Sequence, residues 1–328
     1  AGADWGGLKH EIRTLGEITR RSGRPSTFGL VYNAVRPDMS DVALAEVAAE
    51  NMNGADLRPQ TTCRPIGVVL GIQHRTPWAR AGATWKSMQG MTLDERLALI
   101  RNEDTRRILI DEANNPEQVH GGGSAMVDLS RLYLLDAEDP DYRVGPEGTL
   151  EAKAAEAGVT PVEYFLAEPD RSDGSAMLSL PILNQDYEAI ETMMADESIV
   201  MGLADAGAHV GQIMDSSQPT YFLSHWVRDT AFFSLEEGVR RITSDTADLF
   251  GLVDRGRIVE GAYADINVID FEELSLSGPE YVHDFPGGAG RYIQRGTGYD
   301  ATIVNGKVFM EQGQHTGELA GVTLRCTD

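Results

Sequence analysis

Short apolar runs set between segments of helical period constrain this chain more than any other feature of its sequence. Ser26–Tyr32, Ile66–Ile72 and Ile199–Leu203 are nearly unbroken in apolar residues. Before the first of them, Leu8, Ile12, Leu15 and Ile18 recur at helical spacing within Leu8–Arg21. Gly23 and Pro25 then close that helix. Asp41–Met52 reads as a second helix, with Val42, Ala45 and Ala49 on one face. Continuous apolar runs between helices suit parallel strands covered on both faces, so βα units and an α/β fold are predicted.

The reading extends along the chain. Thr92, with Glu95 three positions on, marks a capping box opening Leu93–Arg101, and Thr105–Ala113 follows as a helix. Residues 114–128 are loop-like around Gly121–Gly123. Leu132–Leu135 and Met177–Leu183 read as strands, and Leu150–Ala157, Val162–Ala167, Asp186–Ala195, Leu235–Ser244 and Thr246–Phe250 as helices. After Gly251 helical spacing stops. Short β-rich runs take over at Arg257–Val259, Asp265–Ile269, Arg291–Gln294, Ala301–Val304 and Lys307–Met310. Asn305-Gly306 between two such runs is a strong hairpin signal. Two units are expected: 1–255, and a β module over 256–328.

Charge narrows the function classes. The net charge is −23, of which −6 falls on residues 256–328 and −17 on the first 255, so the excess is spread rather than gathered in a tail. Nucleic acid and anionic membrane both need Lys/Arg surfaces and are disfavoured as partners. No apolar run approaches the ~20 residues of a membrane helix, and nothing near Ala1 reads as a signal peptide. The two cysteines, Cys63 and Cys326, make no disulfide framework, and a cytoplasmic location is the expectation. Cys63 is expected to be packed. The chain starts without Met, which suggests processing, trimming or a piece of something longer.

In parallel α/β folds the reactive side chains gather past the C-terminal ends of strands. Asp205 sits there, after Ile199–Leu203, among the small residues Ala204, Ala206, Gly207 and Ala208. A carboxylate so placed can hold a metal and act as a base toward water; an N-cap or turn aspartate is the competing reading. His209 follows four residues on, and His74 also lies just beyond an apolar run. Either could line a site or be structural. His225 reads as structural, His10 and His315 as surface residues, and His120 and His283 as loop and β-module residues. His-x-His, His-Glu-x-x-His, Cys-x-x-Cys, Gly-x-Ser-x-Gly and Gly-x-x-x-x-Gly-Lys are all absent.

Gly202–His209 resembles the Gly-x-Ser-Asp-(Ala/Gly)-Gly-Ala-His segment of amidohydrolases related to N-acyl-D-amino-acid deacylases. Leu235–Arg241, Thr243–Ala247, Asp254–Gly256, Glu260–Asp270, Tyr299–Gly306 and Thr316–Gly321 continue the resemblance, which is strong over about 175–325 and weaker before it. The resemblance to this D-aminoacylase-like branch implies a (β/α) TIM-like barrel portion lacking its first strands, followed by a small C-terminal β-sandwich. It implies a metal-dependent hydrolase of a C–N amide bond, with an N-acyl-(D-)amino acid as substrate and one or two divalent ions, zinc, as cofactor. Asp205 takes the roles of metal ligand and proton shuttle, and His209 and His74 those of substrate-lining residues. The family's His-x-His and its strand-borne His have no counterpart here, the comparable stretch being Phe28–Asn33. Further ligands are therefore expected outside this chain, or the metal site is degenerate. A hydrolase of cyclic amides and a non-catalytic subunit completed by a second chain remain the alternatives. A barrel without its first strands exposes sheet edges. The isolated chain is thus expected to oligomerise or to associate with an N-terminal half, and a monodisperse monomer in sedimentation velocity would contradict that.

Overall fold

The computed structural model describes residues 5–116, 128–136, 140–143, 145–202, 204, 206–213 and 215–324, without the side chains of 169–171. His120, Gly121–Gly123 and Cys326 lie outside the described residues.

Helix α1 (Gly6–Ser22) ends at Gly23, whose left-handed φ of 66° lets its N–H reach the carbonyl of Thr19. It packs along α2 (Met39–Met52). The face of α2 that is buried is Ala43, Leu44, Val47 and Glu50 rather than the predicted Val42, Ala45 and Ala49, and Ala45 is exposed. This face enters one core with Ile12 of α1, and two ion pairs cross the helices: Arg13 to Glu46 at 2.6 Å and Arg20 to Glu50 at 2.7 Å. Ser26–Leu30 runs parallel to Leu57–Thr61, which contains β1 (Gln60–Thr61). The ladder alternates between the chains: Ser26 N–H to Asp56 O, Arg58 N–H to Ser26 O, Gln60 N–H to Phe28 O and Leu30 N–H to Gln60 O, all 2.8–2.9 Å. β5 (Val200–Met201) joins β1 in parallel on the other side, with Val200 and Gly202 donating to Pro59 and Thr61. Three adjacent parallel strands with intervening helices thus match the predicted βα pattern; a closed barrel is not formed by the described residues. The run Ser26–Tyr32, expected to be a buried strand, meets its neighbour only through isolated bridges and stays largely half-exposed, because only one side of it has a strand partner.

Between β1 and β5 the chain makes a long excursion. β2 (Ile66–Gly71) was expected to continue the parallel series. It pairs antiparallel with β4 (Met177–Leu183), which also pairs antiparallel with β3 (Tyr133–Leu135). Its unbroken apolar character has a different cause from a parallel sheet. Alternate side chains enter two cores: Val69, Met177, Tyr133 and Leu135 face the core shared with the parallel strands, while Leu70 and Leu178 face a second core. Helices α3 (Ala83–Ser87), α4 (Leu93–Arg101), α5 (Glu103–Asn114), α6 (Leu150–Ala157) and α7 (Pro161–Ser172) surround that second core, built on Trp78, Trp85, Ile100, Leu109, Phe165 and Leu166. The capping box of Thr92 and Glu95 forms as the sequence predicts.

From β4 the chain returns through α8 (Tyr187–Ala195) to β5, then α9 (Gln218–Tyr221), a π-helical stretch Phe222–Asp229, α10 (Leu235–Ile242) and α11 (Ser244–Leu249). The remaining strands are antiparallel. β6 (Ile266–Ile269), β11 (Tyr299–Val304), β12 (Lys307–Glu311) and β13 (Gln314–His315) form a four-stranded sheet in the order β13-β12-β11-β6. Two pairs lie beside it: β7 (Ser275–Leu276) with β10 (Gly296–Thr297), and β8 (Glu280–Val282) with β9 (Arg291–Ile293). The β11–β12 turn carries Asn305 at φ 47° and Gly306 at φ 77°, the doubly left-handed backbone of a type I′ hairpin. Arg257–Val259 is not a strand. Ile258 is 85% exposed there, so no sheet face holds it.

One buried ion pair joins these parts. Arg64, just past β1, meets Asp215 with Nη1 to Oδ1 at 2.7 Å, and both side chains are almost fully buried. Gly67 N–H reaches the second carboxylate oxygen at 3.4 Å. The guanidinium lies 3.9 Å above the ring of Tyr142 and donates to Ser217 Oγ at 3.1 Å. Ser217 in turn donates to Gln294, whose amide donates to the Tyr142 hydroxyl at 2.9 Å. Removing one partner of a buried pair leaves an uncompensated charge, at a cost of about 3–5 kcal/mol. Asp215→Ala is therefore expected to lower unfolding free energy by that amount in urea titration. Asp248→Ala, which removes the exposed pair with Arg257, is expected to change it by less than ~1 kcal/mol. Equal effects would show that the buried pair does not hold the parts together.

Candidate active site

The parallel strands place their C-terminal ends together. Beyond Leu30 lies Tyr32, beyond Thr61 lie Thr62 and Cys63, and beyond Met201 lies Gly202. Asn184, fully buried and left-handed at φ 54°, fastens two of these ends. Its Oδ1 accepts from Tyr32 N–H at 2.7 Å, and its Nδ2 donates to Thr62 Oγ1 at 2.7 Å and Thr61 Oγ1 at 3.2 Å. Cys63 is held by Gln218, whose Oε1 accepts from the Cys63 N–H at 3.0 Å. Its carbonyl accepts from Trp226 Nε1 at 2.6 Å. Cys63 is buried, as the sequence suggested, and burial pushes its thiol up to about 12, so the thiol is protonated near pH 7 in this environment.

Asp205 lies outside the described residues; Gly202 and Ala204 bring the chain to it from the β5 ladder. The loop that follows is described from Ala206. Gly207 and His209 both adopt left-handed backbone, at φ 87° and 51°. The carbonyl of His209 accepts from Gln212 N–H at 2.7 Å and Ile213 N–H at 2.9 Å, which closes a tight turn and leaves the His209 side chain exposed. The loop then runs back along the excursion and the C-terminal strands. Val69 donates to Gln212 O at 2.7 Å, and Tyr292 to Val210 O at 2.9 Å.

His74 meets this loop from the other side. A Cβ on Gly211 would stand 3.1 Å from His74 Nε2, so glycine is what lets the two segments approach. The imidazole lies 5.2 Å from the ring of Tyr281 and 5.9 Å from that of Tyr292, with Nδ1 buried and without a hydrogen bond. Burial first, then Arg96 and Arg75, lower its pKa to about 4, which keeps the ring neutral near pH 7. His74 thus touches the loop beyond β5, while His209 turns its side chain to solvent on the same loop.

Sequence reasoning missed the aromatic and polar groups that gather near the strand ends. Tyr187 and Tyr221 share a hydroxyl–hydroxyl hydrogen bond of 2.9 Å, and His225 stacks on Tyr221 at 5.0 Å. Burial raises the pKa values of Tyr142, Tyr187 and Tyr221, so their hydroxyls stay protonated. Pro65, Tyr133, Tyr142, Arg143, Gln185 and Tyr187 line part of a cavity of about 660 Å³ on this side. One signal for this region was available: Arg64 is a lone charge within the otherwise uncharged run 59–74. Among the described residues no three His, Cys, Asp or Glu side chains are grouped so as to hold a metal ion. The described residues alone do not fit one.

Residues 149–310 match the amidohydrolase family. An uncharacterized protein of Mycobacterium tuberculosis is 29% identical over 205 residues, covering 57% of this chain and 33% of that protein. The D-aminoacylase of Alcaligenes xylosoxydans xylosoxydans is 33% identical over 105 residues, covering 32% of this chain and 20% of the enzyme. Among solved structures, a D-aminoacylase described as having a binuclear metal center superposes with a TM-score of 0.50 at 20% identity, covering 96% of this chain and 52% of that one. At that identity the likeness speaks for the fold. This chain spans about half the length of that solved structure and a third or less of the two relatives. The match over residues 149–310 takes in β5, the loop beyond it and the four-stranded sheet as far as Met310, and over that segment the chain is similar to the amidohydrolase family and to a D-aminoacylase.

Proposed function

We propose that this chain is part of a metal-dependent amidohydrolase that cleaves the C–N amide bond of an N-acyl-(D-)amino acid. The observation that carries this reading is the motif Gly202–His209 at the end of a parallel strand, inside the segment that matches the family. Asp205 is its proton shuttle: the carboxylate takes a proton from the attacking water and delivers it to the leaving nitrogen, a task for a base beside the scissile bond. The residues beside it in sequence, Ala204, Ala206, Gly207 and Ala208, are all small. His74 and His209 border the same loop and are assigned to the substrate. In this reading 1–255 is the barrel portion and 256–328 a β-sandwich module. The similarity to a D-aminoacylase supports the acyl-amino-acid substrate class over a cyclic amide.

Zinc is the proposed metal. In such sites the ion lowers the pKa of water and polarises the carbonyl. Asp205 is the ligand assigned in this chain, and the remaining ligands are assigned to sequence or a partner outside the described residues. Elemental mass spectrometry on the isolated chain, purified without chelators, is expected to find less than one zinc per chain. One zinc or more per chain would place the full ligand set within it, around Asp205, His209 and His74.

Activity is tested on the full protein with a panel of N-acetyl-D- and N-acetyl-L-amino acids and a hydantoin, reading released product. Asp205→Asn is expected to lose about 10³-fold or more in turnover, roughly 4 kcal/mol of barrier, with an unchanged melting profile. Full activity in that variant would remove Asp205 from the chemistry. Turnover of the hydantoin alone would move the substrate to cyclic amides.

A further inference from the structure

The chain carries 51 Asp and Glu among 328 residues, yet the 37 residues from Leu57 to Leu93 contain none. The same stretch holds Arg58, Arg64, Arg75, Arg80 and Lys86. Part of it folds into a concavity of about 330 Å³, between the turn after β2 and helix α4. Among the described residues that line it none is acidic, while His74, Arg75, Arg80 and Arg96 all do. Trp85 and Met88, both buried, also form part of its wall, and Thr76 offers a hydroxyl.

The three guanidiniums differ in a way that suits a ligand. Arg96 is fixed: its Nη1 donates to Ile72 O at 2.8 Å and His74 O at 2.6 Å, and its Nε to Met91 O at 3.1 Å. These acceptors are neutral carbonyls, so its positive charge is uncompensated by them. Arg75 and Arg80 are exposed, and neither side chain forms an ion pair or hydrogen bond among the described residues. Glu112, which packs against Gly82 behind the pocket, spends its oxygens on the N–H groups of Thr84 and Trp85 and on the Thr84 hydroxyl. In a chain of net charge −23 this concavity thus gathers Arg75, Arg80 and Arg96 with no acidic residue in its described lining. Guanidinium forks match the geometry of carboxylates and phosphates.

We propose that this concavity is a binding site for a small oxyanion, a carboxylate or a phosphate, held by Arg75, Arg80 and Arg96 with Thr76 beside them. It borders the loop beyond β5 through His74 and Gly211, but its occupancy does not depend on the amidohydrolase reading, and a chain without turnover still binds the anion.

The test is isothermal titration calorimetry on the intact chain in zwitterionic buffer at low ionic strength, with inorganic phosphate in one arm and acetate in the other. Saturable binding of one anion per chain is expected in at least one arm, and the tighter arm identifies the ligand chemistry. The Arg75→Gln/Arg80→Gln double variant, which alters exposed side chains and is expected to keep the melting profile, should weaken binding by about tenfold or more. Arg107→Gln, an exposed arginine on α5, should leave it unchanged. The proposal is overturned if neither anion binds saturably, if the double variant binds as the parent does, or if Arg107→Gln weakens binding equally.

Discussion

The Arg64–Asp215 pair is the contact on which the arrangement of this chain depends. Arg64 stands where the chain leaves the parallel strands, and Asp215 where it comes back from the loop beyond β5. Burying both charges is expensive, and the geometry offsets that cost with hydrogen bonds from Gly67 and to Ser217, and with the face of Tyr142. Through Ser217 and Gln294 the same network reaches the C-terminal strands. A network with partners on four segments favours one relative placement of them.

The long excursion between β1 and β5 follows from the same arrangement. β1 and β5 are neighbours in space although residues 62–199 separate them in sequence. The excursion can be this long because it builds its own core, with two buried tryptophans and a sheet whose two faces serve two different cores. Its first strand, β2, then lies against the loop that carries His209, so the excursion forms a wall beside the candidate site. This couples a strand more than a hundred residues before the motif to the loop that follows the motif.

Much of the local structure was legible from the residues. Capping at Thr92, the Gly23 stop, the Asn305-Gly306 hairpin, and the helices opening at Leu150, Pro161, Tyr187 and Leu235 follow from short-range rules, because caps and left-handed turns involve residues within four positions of one another, whereas the helix Gln218–Tyr221 and the π-helical stretch after it were not read. The misreadings share another cause. The buried face of α2 meets a neighbouring helix through Ile12, and the direction of β2 is set by a partner more than a hundred residues away. Ile258 and Val259 are apolar without a sheet to bury them. Of the site residues, His74 was recognisable as a group beyond a strand, but its approach to Gly211 was not.

By itself the sequence determined the alternation of helices and strands, the change of texture after Gly251 and the family motif around Asp205, since each rests on spacing within a few residues. Tertiary structure decided which strands pair, that β2 runs antiparallel, and that Arg64, Tyr142, Asp215 and Gln294 form one network. It also decided that Arg75 and Arg80, from an acid-free stretch, share one concavity with Arg96. Periodicity records which face of an element is apolar, but not what that face will meet. Partners far apart in sequence are selected by packing and by the need to satisfy buried charge, and neither leaves a local pattern to read.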